Sequence, residues 1–338
     1  MKMFVIGCGS IGRRHTANLR KLGVDDIVVF DPDRERAEAL ARDCGALAVE
    51  SIEQGYDKKP RAVLVCAPTS MHLDLASEAI QHGCHVFLEK PLAHALDGVS
   101  DFIESIRARN KVVLVGYNLR FDPLLRRVHQ MLDAGCIGRL LSASLSFGSY
   151  LPWRHPWEDY RVGYGARREL GGGVILDAIH EMDYAQWLFG SPSSVYCISG
   201  KYSDLEIDVE DLAEILLAYP DKLVSIHLDY IAQPAHRTCT ILGTWGQLRV
   251  DLVERRLRHF DGETREWSTI PVDGSISESY EAEMRHFLDC IEGSAKPEVD
   301  AECARQSLEI AEAARRSMLL GSPVTVESMV EVASEVMS

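Results

Sequence analysis

Residues 1–12 read MKMFVIGCGSIG, and this stretch decides the fold of the N-terminal part of the chain. The apolar run Lys2–Ile6 predicts a buried strand, and a glycine-rich turn over Gly7–Gly12 follows it directly. The spacing G-x-G-x-x-G between a strand and a helix is the dinucleotide-binding fingerprint. Its first glycine permits a tight turn, its second lets backbone N–H groups approach a pyrophosphate, and its third allows close packing. The stretch therefore predicts a nucleotide-binding domain.

The alternation of strand and helix continues to about residue 120. Apolar residues at helical spacing separate short apolar runs, which is typical of a parallel sheet with helices on both faces. We therefore predict a doubly wound α/β domain of the Rossmann type over residues 1–120. Its predicted strands are Lys2–Ile6, Ile27–Phe30, Ala62–Ala67, His85–Leu88 and Lys111–Tyr117.

An acidic residue indicates which dinucleotide is bound. Asp31 ends the second predicted strand, about twenty residues beyond the glycine turn. A carboxylate there accepts hydrogen bonds from the adenosine ribose and repels a 2′-phosphate, so we expect NAD rather than NADP, although Arg34 and Arg36 lie nearby. The alternative is a tight turn with a capping aspartate. The residues predicted here to bind cofactor are Gly7, Gly9, Ser10, Ile11, Gly12 and Asp31.

Beyond about residue 140 the pattern changes to the two-residue period of half-buried strands. Apolar Val224, Ile226 and Leu228 alternate with polar residues, and residues 220–222 (PDK) predict a hairpin turn. We expect residues 121–338 to form an α+β domain with a mostly antiparallel open sheet, which binds substrate and mediates oligomerisation. A helix should begin after the glycine run 171–173 and continue through Leu188, and the run should let substrate or cofactor approach the backbone closely.

Composition narrows the classes of partner. The 338 residues carry a net charge of −15, which disfavours nucleic acid and anionic membranes as partners. The nine cysteines are scattered without a C-x-x-C pair, so we expect reduced thiols and neither disulfides nor a metal site. The N-terminus has no signal-peptide pattern and no apolar run could span a bilayer, so a cytoplasmic location is expected.

Further motifs resemble a known family. Together with the glycine turn, they are similar over nearly the whole chain to the Gfo/Idh/MocA (glucose-fructose oxidoreductase and inositol dehydrogenase) oxidoreductases, and to a branch associated with surface-sugar biosynthesis. The matching stretches are Ala67-Pro68-Thr69 with His72, Glu89-Lys90-Pro91, residues 116–121 (GYNLRF) and residues 171–183 (GGGVILDAIHEMD).

The resemblance implies an NAD(P)-dependent oxidoreductase acting on CH–OH groups, assembled as a homodimer or homotetramer. It implies that Lys90, Asp177 and His180 form a catalytic triad at the nicotinamide. It also implies that the cofactor contacts Ala67, Pro68, Thr69, His72, Glu89, Lys90 and Pro91. Asp177 and His180 are three residues apart, whereas the family spacing is four; either spacing places two residues on one face of a helix.

The reaction calls for the same groups on chemical grounds. Oxidation of a secondary alcohol sends a hydride to the nicotinamide and the hydroxyl proton to a base. His180 can accept that proton, and Lys90 can hold the oxygen or relay the proton. Taken singly, Lys90 could be a surface residue and His180 a core residue. The glycine turn upstream favours the catalytic interpretation, because strand ends in such sheets face the ligand.

A basic and aromatic segment precedes the proposed catalytic helix. Residues 153–168 (WRHPWEDYRVGYGARR) hold four arginines, two tryptophans and two tyrosines against two acids. Arginine binds phosphate and aromatic rings stack on sugars, so an anionic sugar such as a sugar phosphate or nucleotide-sugar is a candidate substrate. An oligomer contact or a solvated loop is the alternative. The candidate substrate-binding residues are Asn118, Arg120, Trp153, Arg154, Trp157, Arg161, Arg167 and Arg168.

Two rival functions use the same residues. One is a glycosidase-like enzyme that oxidises its substrate transiently, eliminates, and returns NAD unchanged. The other is a non-catalytic NAD-binding sensor. The main hypothesis is hydride transfer between NAD and a secondary hydroxyl or ketone of a sugar or sugar derivative.

Overall fold

The computed structural model describes residues 1–154, 156 and 158–326. These form two compact units, each described here by itself. The N-terminal unit contains Met1–Asn118 and Ser277–Arg305, and the C-terminal unit contains Leu119–Ile276 and residues 306–326. This division differs from the predicted one, which assigned all of residues 121–338 to the second domain.

A six-stranded parallel sheet forms the centre of the N-terminal unit, with the strand order β3-β2-β1-β4-β5-β6. The predicted doubly wound fold is therefore confirmed. The five predicted strands are present with small changes at their ends, but the edge strand β3 was missed because two residues are too few for an alternation pattern. The strands are β1 Lys2–Ile6, β2 Asp26–Phe30, β3 Leu47–Ala48, β4 Ala62–Val65, β5 His85–Glu89 and β6 Val113–Gly116.

Five helices accompany this sheet, and local sequence explains where several of them begin and end. Asp33 accepts a hydrogen bond from Arg36 N at the start of α2, and Gly45 ends that helix in the left-handed conformation. Ser51 caps α3 in the same way. The helices are α1 Ser10–Lys21, α2 Arg34–Cys44, α3 Ile52–Asp57, α4 His72–Gln81 and α5 Val99–Arg109.

The C-terminal unit is built on a nine-stranded sheet with the order β14-β13-β12-β11-β7-β10-β9-β8-β15. All neighbouring strands are antiparallel except β7 and β10, so the predicted mostly antiparallel sheet is confirmed. The predicted turn at residues 220–222 joins β9 to β10 as a hairpin. The strands are β7 Leu140–Gly148, β8 Ser194–Gly200, β9 Leu212–Ala218, β10 Leu223–Asp229, β11 His236–Gly243, β12 Gly246–Asp251, β13 Arg256–Asp261, β14 Glu266–Ile270 and β15 Val324–Thr325.

Helices of the described residues pack on one face of this sheet, and the opposite face is called the open face. α9 packs on β7 and β10, and the side chains of Ile226 and Leu228 point to that buried face. Ser225, His227 and Asp229 alternate with them and belong to the open face. The helices of this part of the chain are α6 Pro123–Asp133, α7 Leu151–Arg154, α8 Val174–Asp177 and α9 His180–Phe189.

The last two helices, α10 Ile276–Glu292 and α11 Ala301–Leu320, explain the division into units. Met284, Phe287 and Ile291 of α10 belong to the apolar core of the N-terminal unit, where Phe287 contacts Phe87 at 5.6 Å between ring centroids. Residues 277–305 therefore join the first unit although they follow the second sheet in sequence. The division falls within α11, after Arg305.

None of the helices in the described residues combines the length and the apolar character needed to cross a membrane.

Candidate active site

The glycine turn has the geometry that a dinucleotide site requires. Gly7 has a φ of +99°, and a Cβ there would lie 2.4 Å from the Cys66 carbonyl oxygen. A Cβ at Gly12 would lie 1.9 Å from the Gly7 carbonyl oxygen, so the third glycine is required for packing. A Cβ at Gly9 would meet nothing within 4 Å. This open space lies at the N-terminus of α1, where Gly9 precedes Ser10 and Ile11 and where backbone N–H groups favour an anion.

Asp31 is held against this turn. Its Oδ2 accepts a hydrogen bond from Cys8 N at 2.7 Å, and its Oδ1 accepts one from Asp33 N at 2.9 Å. Arg36 Nη1 lies 4.0 Å from Oδ2. The carboxylate at the end of β2 is thus fixed beside the glycine turn, as an NAD site requires.

His72 links the chain after β4 to the chain after β5. Its Nε2 lies 2.9 Å from the Ala67 carbonyl oxygen and its Nδ1 lies 2.7 Å from that of Pro91. Burial lowers the pKa of His72, and a neutral ring donates to only one of these two carbonyls. The imidazole therefore supports the segments Ala67–Thr69 and Lys90–Pro91 from the interior, and its nitrogens face protein carbonyls rather than a cofactor surface.

Lys90 follows β5 at the same sheet edge as the glycine turn. Its backbone N–H donates to Glu89 Oε2 at 3.2 Å, and Glu89 Oε1 lies 2.6 Å from His15 Nε2. Glu89 is buried, so it anchors the segment before Lys90 through His15. Both carboxylate oxygens of Glu89 therefore have partners within the protein, and its contact with the cofactor stays a prediction.

A buried carboxylate organises the candidate site of the C-terminal unit. Asp177 accepts hydrogen bonds from Arg154 Nη1 and the Tyr164 hydroxyl, and from the Tyr230 hydroxyl at 3.1 Å. Burial raises the pKa of Tyr230, so its hydroxyl remains a donor. Burial alone lowers the pKa of Arg154, but the Asp177 carboxylate raises it above its ordinary value. Asp177 therefore balances the charge of Arg154.

The predicted single helix through Asp177 and His180 is wrong. Asp177 ends α8, His180 begins α9, and Ala178 between them has φ −94° and ψ +29°. The two residues consequently belong to two separate helices. His180 is buried at the start of α9 in the C-terminal unit, whereas Lys90 belongs to the N-terminal unit.

The glycine run before α8 also differs from its prediction. A Cβ at Gly172 would lie 2.2 Å from the Tyr164 carbonyl oxygen, and one at Gly173 would lie 2.3 Å from Glu210 Oε1. Gly173 has a φ of +108°, and the Glu210 backbone and side chain accept from Val174 N and Ile175 N at 3.2 Å each. The space at Gly172 and Gly173 is therefore filled by the protein itself and is not left for substrate.

Two further buried ion pairs surround α9. Arg120 donates to both carboxylate oxygens of Asp183, at 2.9 Å from Nε and 2.8 Å from Nη2. Glu181 Oε1 lies 2.7 Å from Arg237 Nε. Arg120 was a candidate substrate ligand; its guanidinium pairs with Asp183, and its contact with substrate stays a prediction.

Three more of the candidate substrate residues have partners within the protein. Asn118 donates to Ser279 Oγ at 2.8 Å in the N-terminal unit. Exposed Arg161 pairs with Asp159 and Glu206, and Arg168 Nη2 donates to the Asp208 carbonyl oxygen at 2.9 Å.

Arg167 and Trp153 are the two candidates left available. Within the described part of the chain, the Arg167 guanidinium makes no hydrogen bond or ion pair. Trp153 is 63% exposed, and its ring lies edge-on to that of Tyr150 at 5.2 Å between ring centroids. Trp157 lies outside the described residues.

Several residues of these clusters escaped the sequence analysis. Tyr164 lies inside the basic and aromatic segment and could have been singled out there. Tyr230 and Arg237 come from the sheet, Glu181 lies next to His180, and His15 lies on α1. No local pattern marks them, because each gains its partner only through the fold.

Comparison with known proteins agrees with this geometry. Residues 1–117 match the family model described as the oxidoreductase family, NAD-binding Rossmann fold, and residues 129–326 match that of its C-terminal alpha/beta domain. The chain belongs to the Gfo/Idh/MocA oxidoreductase family. It is an NAD-binding oxidoreductase, and the expected cofactor is confirmed.

Individual relatives match this chain over most of their length. The chain is 26% identical to the myo-inositol 2-dehydrogenase of Thermotoga maritima, over 98% of this chain and 100% of the relative. It is 24% identical to the 2,7-anhydro-N-acetylneuraminate hydratase of Mediterraneibacter gnavus, over 80% of this chain and 77% of the relative. It has the fold of the WlbA dehydrogenase from Bordetella pertussis, solved with NADH and UDP-GlcNAcA, with a TM-score of 0.83, 23% identity and coverage of 96% and 98%.

Proposed function

We propose that this oxidoreductase transfers a hydride between NAD and a secondary hydroxyl or ketone of a sugar or sugar derivative. The observation that carries the proposal is the position of the Lys90 amine. It follows a strand at the carboxyl ends of the parallel sheet, where the glycine turn also lies. Lys90 follows β5 and the glycine turn follows β1, and both strands pair with β4 in the same parallel sheet. Ligands of doubly wound sheets bind at the carboxyl ends of the strands.

The acid–base chemistry is assigned to three residues. When bound, NAD supplies the hydride acceptor. We assign Lys90 to stabilising the oxygen from which the proton leaves and His180 to accepting that proton. Asp177 is assigned to holding Arg154 and Tyr164 in place, since its carboxylate already accepts from both.

Uncharged polyols are the favoured substrate class. Among the arginines proposed to bind an anion, Arg154 and Arg161 are paired with carboxylates and Arg168 with a backbone carbonyl. The relative from Thermotoga maritima is named for an inositol, which is an uncharged polyol. A sugar phosphate or nucleotide-sugar is the second candidate, supported by Arg167 and by the ligand of the WlbA dehydrogenase structure.

Steady-state formation of NADH tests the proposal. Purified protein with NAD should oxidise at least one member of a panel of inositols, anhydrosugars, sugar phosphates and nucleotide-sugars. Lys90→Met should lower kcat about 10²- to 10⁴-fold, because a positioned proton-transfer group contributes that much. Lys58→Met, at an exposed lysine after α3, is the matched control and should leave kcat unchanged. Full activity in Lys90→Met would remove Lys90 from the mechanism.

The second candidate function is the glycosidase-like enzyme, which oxidises its substrate transiently, eliminates, and returns NAD unchanged; it is supported in part by the relative named as a hydratase. That enzyme would convert substrate without net NADH, which product analysis by mass spectrometry detects. Normal NAD binding with no conversion of any panel member would instead favour the sensor.

A homo-oligomer, dimeric or tetrameric, and a cytoplasmic location complete the proposal. Apolar side chains on the open sheet face support the oligomer: Ile198, Leu216, Leu223 and Leu242 are 40–53% exposed. The nine free cysteines support a reducing compartment. Sedimentation of the purified protein tests the first point, and a monomer at micromolar concentration would contradict it.

A further inference from the structure

Two histidines and an aspartate meet on the open face of the C-terminal sheet, away from the Asp177 cluster. His227 and Asp229 lie on β10 and His236 lies on β11, with β7 between the two strands. One candidate ligand atom from each of the three side chains lies within 4.8 Å of the others. Asp229 is almost fully buried, while His227 and His236 remain partly accessible.

The strand register explains how these side chains meet. Gly148 on β7 is paired with Asp229 on one side and with His236 on the other. A Cβ at Gly148 would lie 2.3 Å from Asp229 Oδ2 and 2.5 Å from His236 Cε1. The missing side chain therefore creates the space in which a carboxylate and an imidazole from strands on opposite sides of β7 approach each other.

Each of the three side chains is also oriented through its other polar atom. Asp229 Oδ1 accepts from Ile231 N at 2.7 Å and Ala232 N at 2.6 Å. His227 Nδ1 lies 2.6 Å from Glu214 Oε1, and His236 Nε2 lies 2.7 Å from Ser146 Oγ. Outer partners of this kind fix the ring orientation of metal-binding histidines.

These contacts engage Asp229 Oδ1, His227 Nδ1 and His236 Nε2, and each side chain has one further atom that can bind a metal: Asp229 Oδ2, His227 Nε2 and His236 Nδ1. We propose that His227, Asp229 and His236 bind a divalent transition-metal ion such as Zn²⁺, with Glu214 and Ser146 as outer-sphere partners. Two imidazoles and one carboxylate suit Zn²⁺ and similar ions, which also take water as a further ligand. The sequence analysis expected no metal site because it considered only the spacing of cysteines.

The site has a structural role in the fold. The metal joins the last residues of β10 to the first residue of β11 across the end of β7. Tyr230 follows Asp229 directly and points to the opposite face, where its hydroxyl donates to Asp177. Metal binding therefore stabilises the strand end from which Tyr230 reaches the Asp177 cluster.

A proton on His227 competes with a metal ion for this site. His227 Nε2 lies 3.0 Å from Asp229 Oδ2, and an imidazolium between Asp229 and Glu214 satisfies the same contacts. Hydrogen bonding to Asp229, and then to Glu214, raises the pKa of His227 to about 9 in the metal-free protein. Metal binding and protonation of His227 are mutually exclusive, so a direct binding measurement separates them.

The test uses full-length, untagged protein stripped with a chelator and dialysed. Zn²⁺ is titrated in competition with a chromophoric chelator, and Co²⁺ is added separately because its visible absorption reports coordination by the protein. We expect one equivalent of each metal to bind and Zn²⁺ to raise Tm. His236→Gln should abolish the high-affinity equivalent, and Glu214→Gln should weaken it about 10- to 100-fold, the usual effect of losing an outer partner.

Controls separate this result from misfolding and surface binding. His259→Gln removes a histidine of β13 on the same sheet and should keep the wild-type affinity. NAD binding and circular dichroism should be unchanged in His236→Gln. Equal Zn²⁺ affinity in wild type and His236→Gln, or no Zn²⁺ bound at micromolar concentration, would overturn the proposal in favour of the protonated His227.

Discussion

The glycine turn of the N-terminal unit and the Asp177 cluster of the C-terminal unit are built in opposite ways. The glycine turn consists of adjacent residues, and its functional groups are backbone N–H groups at a helix start. The Asp177 cluster takes Arg154 from α7, Tyr164 from a 3₁₀ turn and Tyr230 from beyond β10. An anion needs only correctly placed backbone and free space, whereas a buried charge needs partners that tertiary structure must supply.

Removing one charge from a buried ion pair should have the largest effect on stability. Asp183→Asn leaves Arg120 without its counterion, and both side chains are at most 5% exposed, so we expect a loss of about 3–5 kcal/mol of unfolding free energy. Asp177→Asn should cost less, because the Arg154 side chain is 18% exposed. Urea unfolding checks both variants, and an equal or larger loss for Asp177→Asn would contradict the difference in burial.

Activity distinguishes these two variants further. Asp177→Asn should lower kcat in the folded fraction, since the cluster around Asp177 is part of the proposed site. Asp183→Asn should leave kcat of the folded fraction near wild type. A large loss of kcat in Asp183→Asn, together with a wild-type kcat in Asp177→Asn, would contradict this. It would place the Arg120–Asp183 pair, and not the Asp177 cluster, in the active site.

The glycines of the turn should respond differently to the same substitution. Gly12→Ala places a Cβ against the Gly7 carbonyl oxygen, so we expect a loss of about 1–3 kcal/mol in stability. Gly9→Ala meets open space and should fold normally, but it should weaken NAD binding because the Cβ occupies the space for the pyrophosphate. Thermal unfolding and NAD titration of both variants test this, and unchanged NAD affinity in Gly9→Ala would locate the pyrophosphate elsewhere.

The smallest effect is expected at Glu210, which accepts hydrogen bonds from the first two backbone N–H groups of α8. Burial raises the pKa of Glu210 in the folded protein. Protonated Glu210 therefore contributes to the free energy of unfolding. This contribution is fully present below the unfolded-state pKa and is lost as pH rises through the folded-state pKa. Glu210→Gln should keep the hydrogen bond from Ile175 N, and its side chain does not ionise. The free energy of unfolding of the variant should therefore equal or exceed that of wild type at neutral pH.

Urea unfolding below the ordinary pKa of glutamate and at neutral pH measures this difference. The gain of Glu210→Gln over wild type should shrink towards zero at the acidic pH. A variant that is less stable at neutral pH would show that the charge of Glu210 stabilises α8.

The two units also differed in how far they could be predicted. In the N-terminal unit, five strands, the glycine turn and Asp31 were predicted and are present, because each is a local pattern. β3 was missed because Leu47–Ala48 is too short to show one. In the C-terminal unit the sheet was predicted from alternation, but the break at Ala178 between α8 and α9 was not, because no glycine or proline marks it in the sequence.

The arginine-rich segment illustrates why side-chain sites are harder to predict than backbone sites. Its charge suggested an anionic substrate, but Arg154 pairs with Asp177 and Arg161 also pairs with Glu206, and these two carboxylates are distant in sequence. A residue's type indicates what it can bind. Its neighbours in space decide what it does bind.

The sequence by itself determined the dinucleotide fold, the cofactor class and the two-sheet architecture, because strand periodicity and glycine spacing act over a few residues. Tertiary structure decided the rest. It assigned residues 277–305 to the first unit through Met284, Phe287 and Ile291, and it placed Asp177 among Arg154, Tyr164 and Tyr230. It also brought His227, Asp229 and His236 together over Gly148. Such groupings depend on strand order and register, which bring together side chains that the linear sequence keeps apart.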